Sequence, residues 1–191
     1  MAGLADDWEE NRQTCVDVLC AYLRMPSEPD PGQDAAAPQR LSFQAIREVR
    51  HTVIRVIAAH LQDGAVVSWQ GLNLDFTGVV FDGGDFNGAR FSGGTVRFSG
   101  ARFSDGTVRF NFARFSRNTV AFWGAQFCGG TVQFSFAEFC GSTVDFRDAQ
   151  FSGGTVDFSR ADDWSQPPEF DWEGTPPEGV KLPKKEDQSQ A

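Results

Sequence analysis

The sequence predicts a mainly β protein: a solenoid of short strands preceded by a pair of α-helices. Three observations support this fold class. A unit of twelve residues, Ala-x-Phe-Ser-Gly-Gly-Thr-Val-x-Phe-x-x, occurs six times between residues 89 and 160. A shorter repeat, with phenylalanine at every fifth position from Phe76 to Phe91, leads into it. Two stretches with helical spacing of apolar residues come earlier. A fixed period of this kind is typical of a solenoid, whose coils each pack on their neighbours.

The first predicted element is a helix over residues 4–24. Asp6, followed three residues later by Glu9, favours a capping box at its start. Its apolar stripe consists of Cys15, Val18, Leu19 and Tyr22. Residues 26–40, rich in proline, alanine and acidic side chains, read as a flexible linker.

A second helix is predicted from about Leu41 to Gln62, with Asp63-Gly64 ending it. Its apolar stripe consists of Ile46, Val49, Val53, Ile57, His60 and Leu61. Neither helix can bury its stripe alone, and the end of a solenoid exposes unpaired strand edges. We therefore expect residues 1–64 to form a helical region that covers the first coil.

Residues 65–161 are predicted to form the β-helix. In the five-residue repeat, a large residue and a smaller one two positions before it share one strand face and point inward. The twelve-residue unit is two such repeats separated by a Gly-Thr insertion. The last position of the unit is phenylalanine in two copies, Phe112 and Phe136, which are 24 residues apart. This spacing favours a coil of two units. Such a coil would place Cys128 and Cys140 on opposite sides of the β-helix.

The repeat ends after Ala161, and residues 162–191 are predicted to form a cap and a tail. Trp164, Phe170 and Trp172 lie among prolines and are expected to cover the last coil. From about residue 174 the chain is polar, acidic and rich in proline, which predicts disorder.

The cadence Ala-x-Phe-Ser-Gly at residues 89–93 and 149–153, and its variant at 101–105, resembles the pentapeptide-repeat family. The resemblance implies a right-handed quadrilateral β-helix with alanine and phenylalanine inside. It also implies a mostly non-enzymatic role, such as protein scaffolding or, in one subgroup, mimicry of duplex DNA toward gyrase. The segment from Arg12 to Pro26 resembles one found in bacterial members, some of which carry membrane helices before it. The Gly-Thr insertion departs from the family pattern.

Composition and charge limit the classes of function that the protein could have. The net charge is −9, and the repeat region is neutral, with eight acidic and eight basic residues in 71–160. This excludes direct binding of nucleic acid by a basic surface. No signal peptide and no apolar run of about 18 residues is present, which predicts a cytoplasmic protein, with peripheral membrane attachment left open. No catalytic, cofactor or metal motif occurs, so neither an enzyme activity nor a cofactor is predicted.

The sequence predicts a scaffold that binds an unknown protein partner, with a homodimer left open. The outward residues of the repeat run from basic to acidic along the chain, which predicts an axial charge gradient or simply a solvated surface. The candidate contact residues are Arg90, Arg97, Arg102, Arg109, Arg114, Phe112, Trp123 and Phe136. The alternatives are a DNA mimic and a structural fragment of a membrane-associated protein.

Overall fold

The structure, a computed structural model, describes residues 2–26 and 28–184. The chain begins with α1 (Ala2–Asp7), a 3-10 turn (Glu9–Asn11), α2 (Arg12–Arg24) and α3 (Ala37–His60). Sixteen strands follow within these described residues. They are β1 (Leu74–Asp75), β2 (Val80–Phe81), β3 (Gly84–Asp85), β4 (Arg90–Ser92), β5 (Thr95–Arg97), β6 (Arg102–Phe103), β7 (Thr107–Arg109), β8 (Arg114–Ser116), β9 (Thr119–Ala121), β10 (Gln126–Phe127), β11 (Thr131–Gln133), β12 (Glu138–Phe139), β13 (Thr143–Asp145), β14 (Gln150–Phe151), β15 (Thr155–Asp157) and β16 (Val180–Lys181).

The strands form four parallel sheets, named here faces A to D in the order in which the chain reaches them. Face A is β1, β5, β9 and β13; face B is β2, β6, β10 and β14; face C is β3, β7, β11, β15 and β16; face D is β4, β8 and β12. Successive strands lie on successive faces, so the chain winds into a parallel β-solenoid of about four coils. The predicted fold class is confirmed at this level, and its right-handed sense and square cross-section stay predictions.

The coil is 24 residues long, as the sequence predicted. Paired positions on neighbouring coils, such as Gln126 and Gln150, are 24 residues apart. The first coil is shorter, since Leu74 pairs with Val96, 22 residues later. The segment between faces B and C of that coil lacks the two-residue insertion. Cys128 follows β10 on face B and Cys140 follows β12 on face D, so the two thiols lie on opposite sides, as expected.

Columns of stacked phenylalanines fill the interior. Ring centroids of successive members are 4.4 to 5.2 Å apart. The columns are Phe76, Phe98, Phe122 and Phe146 on face A; Phe81, Phe103, Phe127 and Phe151 on face B; Phe86, Phe110, Phe134 and Phe158 on face C; and Phe91, Phe115 and Phe139 on face D. Each aromatic pair adds roughly 0.5–1.5 kcal/mol beyond the area it buries, so the columns stabilise the stacking of coil on coil.

The corners that carry the insertion bring backbone of successive coils into close contact. At Gly94, with φ of +63°, an added Cβ would lie 2.4 Å from the carbonyl oxygen of Leu72. At Gly106, with the same φ, it would lie 2.5 Å from the carbonyl oxygen of Asp82. Glycine is therefore required at Gly94 and Gly106, where one coil crosses the next.

The first predicted helix is divided in two. α1 ends at Asp7 and α2 begins at Arg12, and the predicted capping box does not form. The Asp6 carboxylate instead accepts a hydrogen bond from Trp69 Nε1 at 3.3 Å, and its other oxygen lies 3.3 Å from His60 Nε2. The Asp6 side chain, which the sequence predicted as a helix cap, thus binds residues of α3 and of the segment that leads into the first coil.

The predicted apolar stripes are only partly correct. Val18 of α2 and Ile46 and Val49 of α3 are exposed. The residues that the helices bury are Cys15, Val16, Cys20 and Leu23 in α2, and Arg50, Ile54, Ile57 and Ala58 in α3. α3 also begins earlier than predicted, at Ala37, with proline in its first turn. The end of the β-helix decides which helix face is covered, because α2 packs on β1 and α3 packs on β3.

The C-terminal cap continues the winding of the coils. Asp163 bridges to Glu138 on face D, and Glu169 bridges to Asp145 on face A. Three aromatics extend the columns with centroids 5.4 Å apart: Trp164 contacts Phe139, Phe170 contacts Phe146 and Trp172 contacts Phe151. They cover the last coil, as predicted.

The predicted disorder from residue 174 is wrong for Val180–Lys181. These residues form β16, which pairs in parallel with β15 and brings Val180 beside Val156. The apolar side chain of Val180 is buried there. The sequence did not predict this strand, because the residues around Val180 are mostly polar. Residues 185–191 of the predicted tail lie outside the described residues.

Asp82 ties α3 to the first coil. Its Oδ2 accepts a hydrogen bond from Arg47 Nε at 2.7 Å, and its Oδ1 lies 2.8 Å from His51 Nε2. Gly83 and Gly84 beside it lie against α3, since an added Cβ at Gly84 would be in contact with Ile54 at 3.4 Å. Burial alone would raise the pKa of the Asp82 carboxyl, but His51 and Arg47 outweigh it and hold that pKa below its usual value.

Asp82 should therefore contribute stability that depends on pH. A carboxyl whose pKa is lower in the folded state stabilises that state above its unfolded pKa, about 3.9 for aspartate. The contribution is lost as the pH falls through the lower, folded pKa. We expect Asp82→Asn to reduce the free energy of unfolding at pH 7 more than at pH 3, as measured by urea denaturation. An equal reduction at both pH values would contradict the assigned role, and Asp162→Asn, at an exposed position, is the control.

Candidate functional site

A ladder of exposed side chains runs along the corner between faces C and D. Its positions are spaced by 24 residues at Gly88, Phe112, Phe136 and Arg160. Phe112 is 64% exposed and Phe136 is 37% exposed. Their rings stack with centroids 5.0 Å apart and planes at 13°, and the guanidinium carbon of Arg160 lies 4.6 Å from the Phe136 centroid. We call Phe112, Phe136 and Arg160 the aromatic ladder.

The backbone of this ladder is strained. Phe112 and Phe136 both have φ of +58°, whereas Gly88 supplies the same corner one coil earlier with φ of +68°. A left-handed conformation costs a bulky L-residue roughly 1–2 kcal/mol. The preceding asparagines hold the corner, because Asn87 Oδ1 accepts a hydrogen bond from the Asn111 amide at 3.0 Å. The corner conformation suits glycine, so the phenylalanines are present at a cost to stability and without a role in the core.

Trp123 does not belong to this surface. It is 53% exposed and precedes Gly124 at the corner between faces A and B. That corner lies diagonally across the coil from the aromatic ladder. The structure therefore separates the three aromatic residues that the sequence proposed as contacts into two distant places.

The five predicted arginines are distributed over all four faces. Arg90 and Arg114 lie on face D, and Arg97, Arg102 and Arg109 lie on faces A, B and C. Arg90 forms an ion pair with Asp63, and Arg114 Nε lies 3.1 Å from Glu138 Oε2. Only Arg109 and Arg114 flank the aromatic ladder, three residues before and two residues after Phe112. One corner thus gathers Arg109, Phe112, Arg114 and Phe136 from the predicted set.

The predicted charge gradient holds on face D alone. There the outward residues are Arg90, Arg114, Glu138 and Asp163. On face A, Asp75 lies beside Arg97, and on face C, Asp85 lies beside Arg109 and Lys181 beside Asp157. The prediction is wrong on faces A and C because it began at Arg90 and left out the acidic positions of the first coil.

Sequence reasoning missed Arg160 as a member of the ladder, although its distance of 24 residues from Phe136 marks it. In the described part of the chain, no three His, Cys, Asp or Glu side chains are grouped so as to hold a metal ion. No helix within residues 2–26 and 28–184 has the length and apolar character needed to cross a membrane.

Residues 76–126 match the sequence model of a family described as pentapeptide repeats (9 copies). The match covers the first two coils and the start of the third, where inward phenylalanines set the strand spacing. This part of the chain is a pentapeptide-repeat segment. Neither the curated proteins nor the solved structures gave a match to the chain. The Gly-Thr insertions of this chain lie at two of the four corners of each full coil, and the corner that carries the aromatic ladder has none.

Proposed function

We propose that this protein is a non-catalytic scaffold that binds a protein partner through the aromatic ladder. The observation that carries the proposal is the pair of exposed phenylalanines held in a backbone conformation suited to glycine. Such strain is retained where something other than folding requires the side chain. Exposed aromatic residues also carry binding energy disproportionately at protein interfaces.

The flanking charges complete the proposed surface. Arg160 covers one face of the Phe136 ring, and Arg109 and Arg114 border Phe112 on either side. Aromatic side chains surrounded by arginines are the composition that interface cores favour. The surface would accept a partner that covers the exposed ring faces and pairs an acidic group with Arg109, since Arg114 is already paired with Glu138.

Mimicry of DNA is less well supported by the charges. A mimic of duplex DNA needs a continuous acidic surface, because the phosphates of DNA present dense negative charge. Faces A, C and D instead place acidic and basic residues next to one another, as in the ion pair of Arg114 and Glu138.

The double variant Phe112→Gly with Phe136→Gly tests the proposal. Glycine relieves the left-handed strain and removes a stacked pair worth about 0.5–1.5 kcal/mol, so the free energy of unfolding should change by less than about 1 kcal/mol. Affinity capture from a lysate of the source organism, quantified by mass spectrometry, should show a protein that the wild type retains and the variant loses. Trp123→Ala is the matched control and should retain it. Equal capture by the wild type and the double variant would refute the proposed surface.

A further inference from the structure

A cleft of about 530 Å³ lies between α3, residues 28–30 and face B of the first two coils. Phe43 and Ile46 of α3 and Val80 of β2 give it apolar walls. Its volume lies within the range of small-molecule sites, which are mostly apolar with a few polar groups that fix orientation. The cleft lies on face B, away from the aromatic ladder at the corner between faces C and D.

Arg50 lines this cleft and is only 7% exposed. Its Nη2 donates a hydrogen bond to the Val80 carbonyl oxygen at 3.0 Å, the one hydrogen bond its side chain makes with described residues. A guanidinium carries five N–H donors, and a buried charge is costly unless it is paired. In the described part of the chain, Asn118 Nδ2 is the one sealed side-chain atom without a partner. The unused donors of Arg50 therefore keep some contact with solvent, and Arg50 is one of the residues that line the cleft.

Arg102 supplies a second guanidinium with unused donors. It lies beside Val80 in the pairing of β2 with β6 and also lines the cleft. Its side chain is exposed and makes no hydrogen bond or ion pair with the described residues. Two guanidiniums at one site are suited to a carboxylate, which arginine binds through two parallel hydrogen bonds.

The other charged residues that line the cleft are Arg47, Asp82 and three further acidic residues. Asp82 is already paired with Arg47 and His51. Glu28, Asp30 and Asp105 line the cleft without an ion pair to any described residue. A multiply charged anion such as phosphate would be repelled by these three carboxylates, whereas a cationic group would be attracted to them. Besides the ion pair of Arg47 and Asp82, the cleft thus combines two cationic groups, an apolar wall and three anionic groups.

We propose that this cleft binds a small zwitterion with apolar side chains, of the size and chemistry of a dipeptide. Its carboxylate contacts Arg50 and Arg102, its side chains lie against Phe43, Ile46 and Val80, and its ammonium group faces Glu28, Asp30 and Asp105. The proposal is independent of the scaffold function and uses a different face of the molecule.

Isothermal titration of the full chain with leucyl-leucine tests the proposal. Two further ligands test the contribution of each charged group separately. Leucyl-leucinamide lacks the carboxylate, and N-acetyl-leucyl-leucine lacks the ammonium group. We expect leucyl-leucine to bind with a Kd of about 1 mM or tighter and each blocked ligand to bind at least about tenfold more weakly. Absence of heat with leucyl-leucine at about 10 mM would overturn the proposal. Equal binding of either blocked ligand, or of inorganic phosphate, would also overturn it.

Variants of the chain locate the ligand. Arg102→Gln is at an exposed position and should weaken the binding of leucyl-leucine at least about tenfold. Arg97→Gln, at an exposed position on face A, should leave its Kd unchanged. Arg50→Gln should have the larger effect, with circular dichroism to establish that the variant is folded. Because Arg102 is exposed, we expect the Arg102→Gln variant to fold. If that variant bound leucyl-leucine with the Kd of the wild type, the assignment would be overturned even if Arg50→Gln failed to fold.

Discussion

Replacing Phe122 by alanine should lower the free energy of unfolding by about 3–5 kcal/mol. Phe122 is fully buried, and its ring stacks on Phe98 at 4.6 Å and on Phe146 at 4.4 Å. Removing the ring leaves a cavity in the middle of a column and breaks the contacts between three successive coils. Urea denaturation followed by circular dichroism measures the loss.

The control for this substitution is Phe112→Ala. Phe112 has the same side chain but lies exposed at a corner, so its loss should change stability by less than about 1 kcal/mol. Similar effects of the two substitutions would mean that the columns do not carry the stability of the β-helix.

Gly94→Ala should destabilise the protein by about 2–4 kcal/mol, the sum of a left-handed backbone penalty and an overpacking cost. The added methyl would meet the Leu72 carbonyl oxygen at 2.4 Å, a contact that only a shift of backbone can relieve. Because the neighbouring coil cannot move without disturbing its own pairing, the strain should be felt across the corner. The measurement is again the free energy of unfolding in urea.

Gly100→Ala isolates the steric part of that effect. Gly100 has the same φ of +63°, but an added Cβ there would meet nothing within 4 Å. Its substitution should cost only the backbone penalty, about 1 kcal/mol. If the two variants were equally stable, the close approach of the coils at Gly94 would be refuted.

The β-helix was predictable because its signal is repeated. The inward phenylalanines, the insertion and the 24-residue spacing of Phe112 and Phe136 each recur, so sequence alone indicated the coil length that the pairing of Gln126 with Gln150 confirms. The helices carry no such repetition. Their buried faces depend on the end of the β-helix, which turns Arg50 inward to the Val80 carbonyl and leaves Ile46 and Val49 exposed.

The candidate surface was predictable only in part. The alternation of a strand shows that Arg97 and Arg102 point outward, but it does not show that they lie on different faces, since that depends on where each corner falls. The exposure of Phe112 and Phe136 followed from their position at the end of the unit. Their left-handed backbone and the stacking of Arg160 required the structure.

The coil length also fixes how this chain could change its number of repeats. A twelve-residue unit spans two of the four faces, so one unit is half a turn around the axis. Gain or loss of a single unit within the array would rotate everything downstream by half a turn and move Arg160 to the corner where Trp123 lies. Gain or loss of two units would lengthen or shorten the rod by one coil and keep every corner in phase. Between Phe112 and Arg160, therefore, only even numbers of units can be gained or lost if the ladder positions are to stay on one corner.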